Sequence, residues 1–315
     1  MIPLAQIEAA RSTIAGSAIR TPLVPLNLQS AAADIYLKLE NLQPIGSFKI
    51  RGAANAIAQL SPDELEDGLV TASAGNMAQG VAWIARHLRV TCTVIAPETA
   101  AGTKLEAIER LGARVIQVPF DEWWKVFEQR LYAGVNGTFI HAFDDPHVMA
   151  GNGTIALEIL EDLPDVDAVV IPWGGGGLTC GIASAIRAKR PSCKVFAAEV
   201  VTAAPLGASL AAGKVVEIDY QPSFVDGIGA KSVFKQMLDR AQELIDGALV
   251  ASEEQIAQAV RVLARHNRVV AEGAGACPVA CALSGAAGPG KVVCVVSGGN
   301  IDLSKLCSVL TKSDT

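Results

Sequence analysis

The sequence predicts a doubly wound α/β protein built on open, twisted, mainly parallel sheets. Three observations carry that prediction. Short apolar runs alternate with amphipathic stretches along almost the whole chain. Several runs, such as Val169-Val170-Ile171 and Val292 to Val296, show no polar alternation, the pattern of a strand covered on both faces. Half of the 315 residues are hydrophobic but only 5% are aromatic, so small aliphatic side chains suited to helices layered on a parallel sheet dominate.

In chain order, Ile35–Glu40 reads as a strand and Phe48–Leu60 as a helix ending before the turn at Ser61-Pro62. Leu69–Ala72 is a short buried strand, followed by a helix over Asn76–Leu88 with apolar positions at helical spacing. Thr91–Ala96 is a strand closed by Pro97. Lys104–Leu111 is a helix capped by Gly112, and Arg114–Val118 the next strand. A helix over Glu122–Ala133 carries the pair Trp123-Trp124, which reads as exposed, and Phe139–His141 is a short strand. After the turn Asp144-Asp145-Pro146 comes a helix around Thr154–Leu163. Val166–Pro172 is then a strand running through four glycines into a helix over Leu178–Arg190. Val195–Glu199 and Val292–Val296 are further buried strands, and Val250–Asn267 is a long helix starting near Ser252-Glu253-Glu254. The α/β units of residues 68–145 suggest a small lobe of their own, inserted into a large lobe of residues 1–67 and 146–315. Functional loops are expected at the carboxyl ends of the strands.

A formal net charge of −6 leaves no basic face for nucleic acid, and no apolar run is long enough to span a bilayer. The first residues carry Gln6, Glu8 and Arg11 where a signal peptide needs an apolar block. Seven cysteines, an odd number with no C-x-x-C, read as buried free thiols of a cytoplasmic protein. Four histidines and no clustered ligands argue against zinc.

Four segments carry chemistry. Lys49 closes Gly46-Ser47-Phe48-Lys49 at the start of a helix, where the dipole disfavours a cation and so favours a neutral, nucleophilic amine. Gly174-Gly175-Gly176-Gly177-Leu178 joins a buried strand to a helix, and such backbone can approach an anion. Ser73-Ala74-Gly75-Asn76-Met77 is a second strand-to-helix turn, offering a hydroxyl, an amide and free N–H groups to a carboxylate. Ser297-Gly298-Gly299-Asn300 places a hydroxyl at the end of a third strand. A lysine forms a Schiff base with an aldehyde and a glycine run wraps a phosphate, so together they point to pyridoxal phosphate. Each turn also has a plain reading as a tight connection or helix cap. The glycines lack the G-x-G-x-x-G spacing and downstream acid of a nicotinamide site.

In this order the segments resemble the fold-type II pyridoxal phosphate enzymes, which share the tryptophan synthase β-like fold, and among them the serine/threonine dehydratase and serine racemase branch. The likeness runs through Leu37 to Pro44, Gly46 to Ala53, Ser73 to Gly80, Gly151 to Glu158, the tetraglycine, Glu272-Gly273-Ala274-Gly275-Ala276 and the Ser297 turn. It implies two lobes with the cofactor in the cleft. Lys49 would carry the cofactor and act as the Cα base, and Phe48 would pack beside it. Asn76 would bond its phenolic oxygen, Gly174, Gly175, Gly176, Gly177 and Leu178 would hold its phosphate, and Ser297 would face its pyridine nitrogen. Ser73, Ala74, Gly75, Asn76 and Met77 would form the substrate carboxylate turn. A hydroxyl partner leaves the pyridine nitrogen largely unprotonated, which favours prompt elimination. The implied reaction takes a 3-hydroxy-L-amino acid of the threonine or serine type to a 2-oxo acid and ammonium, in a cytoplasmic homo-oligomer.

Several positions depart from the family pattern. Ala74 stands where racemases place a serine, which argues against a serine or aspartate racemase. Met77 replaces the histidine usual in threonine dehydratases, and Trp173 stands where a small aliphatic residue usually precedes the glycines. Both suit a bulkier substrate such as L-threo-3-phenylserine, the alternative reading. Asn152 replaces a glutamine. A divalent cation (Mg or Ca) or K would use Glu199 and the carbonyl of Ala203, but Pro205 occupies the family's aspartate position and leaves that set incomplete. With the chain ending soon after the Ser297 turn, no regulatory domain or feedback by isoleucine is expected.

Overall fold

The computed structural model describes residues 1–28 and 33–311. Its ten strands are β1 (Leu23–Pro25), β2 (Asp34–Leu39), β3 (Leu69–Ala72), β4 (Cys92–Pro97), β5 (Arg114–Val118), β6 (Thr138–Phe139), β7 (Ala168–Pro172), β8 (Lys194–Val200), β9 (Gly247–Ala251) and β10 (Lys291–Val296). They form a six-stranded sheet, order β1-β2-β10-β7-β8-β9, and a four-stranded sheet, order β5-β4-β3-β6. Every pairing is parallel except β1 with β2.

Successive residues of a strand point to opposite faces, and the large sheet uses this to carry two cores. Val170, Cys294, Val292 and Leu37 belong to one, while Val169, Ile171, Val293 and Val295 belong to the other. A third core surrounds the small sheet, with Val94, Ile95, Val81 and Ile50. Continuous apolar strands are therefore required, because neither face of the large sheet meets water.

The helix Asn76–Leu88 has the predicted bounds. Elsewhere the boundaries move for identifiable reasons. The helix predicted from Thr154 begins at Pro146, because the Asp145 carboxylate accepts from the N–H groups of His147 and Val148. Gly151 inside that helix marks a close crossing: a Cβ there would stand 2.3 Å from the Arg51 carbonyl oxygen. Residues 247–251, partly assigned to a helix, form β9 along β8, and the helix starts at Glu253 behind a capping box made by Ser252 and Gln255. The predicted 122–133 helix spans Phe120–Gln129 instead. The sequence reading missed the helices Leu4–Thr13, Pro205–Ala212, Lys235–Leu244, Gly273–Leu283 and Leu303–Thr311. Six of the seven free cysteines are buried as expected; Cys307 is exposed. Among the described residues no helix is long and apolar enough to cross a membrane.

Candidate active site

Four strands from the two sheets end at one cavity. β3 runs out into Ser73, β4 into Thr99 and Ala100, β7 into the glycine loop and β10 into Ser297. The cavity has a volume of about 460 Å³. Phe48, Lys49, Ser73, Ala74, Gly75, Asn76, Met77, Gly174 to Leu178 and Ser297 all line it. The separate turns singled out in the sequence thus converge.

Lys49 is the first residue of the helix Lys49–Ile57. The turn before it is stitched to the Ser297 turn: Phe48 N donates to the Ser297 carbonyl at 3.0 Å and Gly299 N to the Gly46 carbonyl at 2.9 Å. Beneath that helix lies a buried ion cluster. Arg51 forks to Glu40 (Nε–Oε2 2.8 Å) and to Glu158 (Nη1–Oε1 2.7 Å), and Lys38 joins Glu158 at 2.6 Å. Two cations and two carboxylates, hydrogen-bonded throughout, neutralise each other away from water. Burial raises the Glu40 pKa, but the charge of Arg51 and its hydrogen bonds outweigh this and hold it below the usual carboxylate range. The Lys49 amine donates to the Ala142 carbonyl at 2.7 Å and stands 5.2 Å from the centre of the Phe48 ring. Its pKa falls to about 8, with burial as the main cause and Glu272 opposing it. Removal from water acts in the same direction as the helix terminus at which Lys49 stands.

The carbonyl that holds Lys49 is set by His141. Its Nδ1 accepts from the N–H groups of Asp144 (2.8 Å) and Phe143 (3.3 Å), and burial followed by Arg130 lowers its pKa to about 4, which keeps the ring neutral.

The glycine loop is shaped by sterics as well as by what it can bind. Gly176 has φ +88°, and a Cβ there would fall 2.5 Å from the Trp173 ring; a Cβ on Gly175 would fall 1.9 Å from the ring of Phe143. Among the described residues the N–H groups of Gly174 to Leu178 donate to no protein acceptor. They sit at the amino end of the helix Gly177–Lys189, a ready anion site.

Some expectations are corrected. Trp173 is 1% exposed, packs under the glycine loop and does not line the cavity. Trp123, read as exposed, is half-buried and does line it, whereas Trp124 faces outward. Glu199 is buried; its two carboxylate oxygens accept from the N–H groups of Leu206 (2.9 Å) and Gly207 (2.8 Å), capping the helix Pro205–Ala212. Ala203 is also buried, its N–H donating to the Val200 carbonyl at 2.8 Å. Both carboxylate oxygens of Glu199 are thus engaged by a helix terminus.

The sequence reading assigned no site role to Glu272, Asn300, Ala142, Phe143, Trp123 or Lys104, all of which line the cavity. For Glu272 and Asn300 a signal existed, since each sits in a glycine-rich turn. The others carried none.

A family model described as "Pyridoxal-phosphate dependent enzyme" matches residues 14–298. The chain belongs to the pyridoxal-phosphate dependent enzyme family. An L-threonine ammonia-lyase of Thermotoga maritima is 41% identical over 317 residues, covering 99% of this chain and 79% of that protein. Among solved structures, threonine deaminase isoform 2 of Solanum lycopersicum superimposes with a TM-score of 0.88 at 33% identity, covering 98% of this chain and 94% of that one. Maize serine racemase gives 0.88 at 30% identity, covering 97% and 95%. The fold is thus that of the fold-type II enzymes, as the sequence reading expected.

Proposed function

We propose that this chain is a pyridoxal phosphate-dependent dehydratase that converts a 3-hydroxy-L-amino acid of the threonine or serine type into a 2-oxo acid and ammonium. One observation carries the reading: a buried amine of depressed pKa, a glycine loop of unpaired N–H groups and a hydroxyl- and amide-bearing turn all open onto one cavity. The similarity to an L-threonine ammonia-lyase supports it.

The residues fit the family's cofactor. Lys49 would hold its aldehyde carbon, Gly174 to Gly177 and Leu178 its phosphate, Asn76 its phenolic oxygen and Ser297 its pyridine nitrogen, with Phe48 alongside. When bound, the cofactor supplies an electron sink for charge developing at the substrate Cα. The chain's own groups do the rest. Ser73, whose Oγ accepts from Gly75 N at 3.2 Å, and Asn76 present the turn that holds the substrate carboxylate. Once neutral, the Lys49 amine takes the Cα proton. Loss of the β-hydroxyl as water and hydrolysis of the nitrogen-bearing product then give the 2-oxo acid and ammonium, with one water released and one consumed. Ala74 offers no proton donor on the opposite face, which favours elimination over racemisation.

A second reading, preference for a bulkier substrate such as L-threo-3-phenylserine, is favoured by the apolar wall of Met77, Trp123 and Phe143. Residues 68–145 would act as the closing lobe. Two contacts to it support this: Lys104 with Asp226 (2.9 Å), and Thr103 with Asp302 (2.6 Å). A cytoplasmic homo-oligomer is proposed from the free cysteines and the family likeness. The test is 2-oxo acid formation by purified, cofactor-loaded enzyme from L-threonine, L-serine and L-threo-phenylserine in parallel. No product from any of them would overturn the reaction class, and a large preference for phenylserine would select the second reading.

A further inference from the structure

Asn76 faces the cavity, and both ends of its amide are spoken for. Its Nδ2 donates to Glu272 Oε1 at 2.8 Å, and its Oδ1 accepts from Asn300 Nδ2 at 2.7 Å. Asn300 Nδ2 also donates to the Ile45 carbonyl at 2.8 Å. That last contact fixes the whole chain of bonds. A backbone carbonyl only accepts, so the end of Asn300 facing it must be the NH₂. The Asn76 atom meeting the same NH₂ must then be the oxygen, which turns the Asn76 NH₂ toward Glu272, an acceptor.

We propose that Glu272 and Asn300 are positioning residues that lock the Asn76 amide in one orientation, leaving a single N–H to point at an acceptor oxygen of the cofactor. With Oδ1 turned to Asn300 and one of two N–H groups used, the locked amide keeps one N–H to donate to a ligand. That N–H suits an acceptor such as a phenolate oxygen. The lock also ties distant segments together: the turn before Lys49 through Ile45, the Asn76 turn, Glu272 at the head of the helix Gly273–Leu283 and Asn300 after β10. Packing leaves it little room to relax. Glu272 is 7% exposed, and a Cβ on Gly298 would stand 2.4 Å from its Oε1. A Cβ on Gly46 would stand 2.5 Å from Asn300 Oδ1.

The inference rests on Asn76 facing the cofactor, as proposed above. Its test is a double-mutant cycle read by pyridoxal phosphate affinity of the apoenzyme and by the visible absorption band of the loaded enzyme, neither of which needs a substrate. Asn76→Ala, Glu272→Ala and Asn300→Ala are each expected to weaken cofactor binding by about 10-fold and to shift the band. In the Asn76→Ala background, Glu272→Ala and Asn300→Ala should add almost nothing. Glu272→Gln keeps an acceptor and should recover most of the loss. Apoenzyme melting identifies a variant that fails to fold, and the Asn300 arm then decides the question independently of the Glu272 arm. Equal effects with and without Asn76 would overturn the lock. A neutral Asn76→Ala would instead overturn the role given to Asn76. Finding the coupling in an enzyme that makes no 2-oxo acid would sink the proposed reaction and leave the lock standing.

Discussion

The Lys49 amine donates to the Ala142 carbonyl at 2.7 Å, so this buried amine is held by a dipole, with no carboxylate bonded to it among the described residues. A neutral acceptor steadies the amine without stabilising its charge as an ion pair would, and burial is free to lower its pKa. Replacing Lys49 with Ala is expected to remove the absorption band above 400 nm and to reduce turnover by about 10²–10⁴-fold. Residual activity near wild type would show that another group takes the proton.

The depressed pKa has a direction that can be followed in two ways. Below pH 8 the amine is mostly protonated and cannot attack an aldehyde, so the rate of cofactor uptake by the apoenzyme should rise with pH and level off above about 8. In the unfolded chain the same lysine keeps its proton to about 10.5. Between these values the unfolded state binds more protons, so the Lys49 contribution makes the apoenzyme more stable as pH rises from 8 to 10.5. Lys49→Met should flatten that part of the stability profile, as urea unfolding at several pH values will show.

Arg51 is expected to matter to stability far more than an exposed arginine does. Arg51→Met strands Glu40 and Glu158 without their shared partner in a buried site, at a cost of about 3–5 kcal/mol. Arg51→Lys keeps a charge but loses the planar fork and should fall between the two. Denaturant midpoints of the apoenzymes measure this. An unchanged midpoint for Arg51→Met would mean the cluster contributes nothing net.

Ala74 lines the cavity within the turn proposed to hold the substrate carboxylate. Ala74→Ser supplies a hydroxyl there and is expected to add racemase activity, measurable by chiral chromatography of residual serine. A product profile identical to wild type would remove the basis for reading Ala74 as the reason elimination dominates.

Trp123 and Met77 should set the preference for an apolar, aromatic β-substituent. Trp123→Ala removes an aromatic wall and should lower kcat/KM for phenylserine relative to threonine by about 10-fold. Met77→His should move the ratio in the same direction. Ratios unmoved by both changes would place the specificity determinant elsewhere.

Much of the site was legible because its parts are local. Lys49, the Ser73 to Met77 turn, the glycine loop and the Ser297 turn each join a strand or turn to a helix, and their residue types announce anion- or aldehyde-binding backbone without reference to the rest of the chain. β9 was not legible, because residues 247–251 become a strand only by pairing with β8. Trp173 and Trp123 were misjudged for a related reason. Nothing in the neighbouring residues says that one ring lies under the glycine loop while the other turns inward to the cavity.

The sequence by itself determined the alternation of strands and helices, the buried parallel sheets and the four chemical turns, since periodicity and glycine placement act over a few residues. Tertiary structure alone decided that Lys49 loses its water and its ordinary pKa, that Glu199 caps a helix, and that Asn76 meets Glu272 and Asn300. Desolvation and hydrogen-bond partners come from segments far apart in the chain, 196 residues in the case of Asn76 and Glu272, and exist only once the strand ends meet.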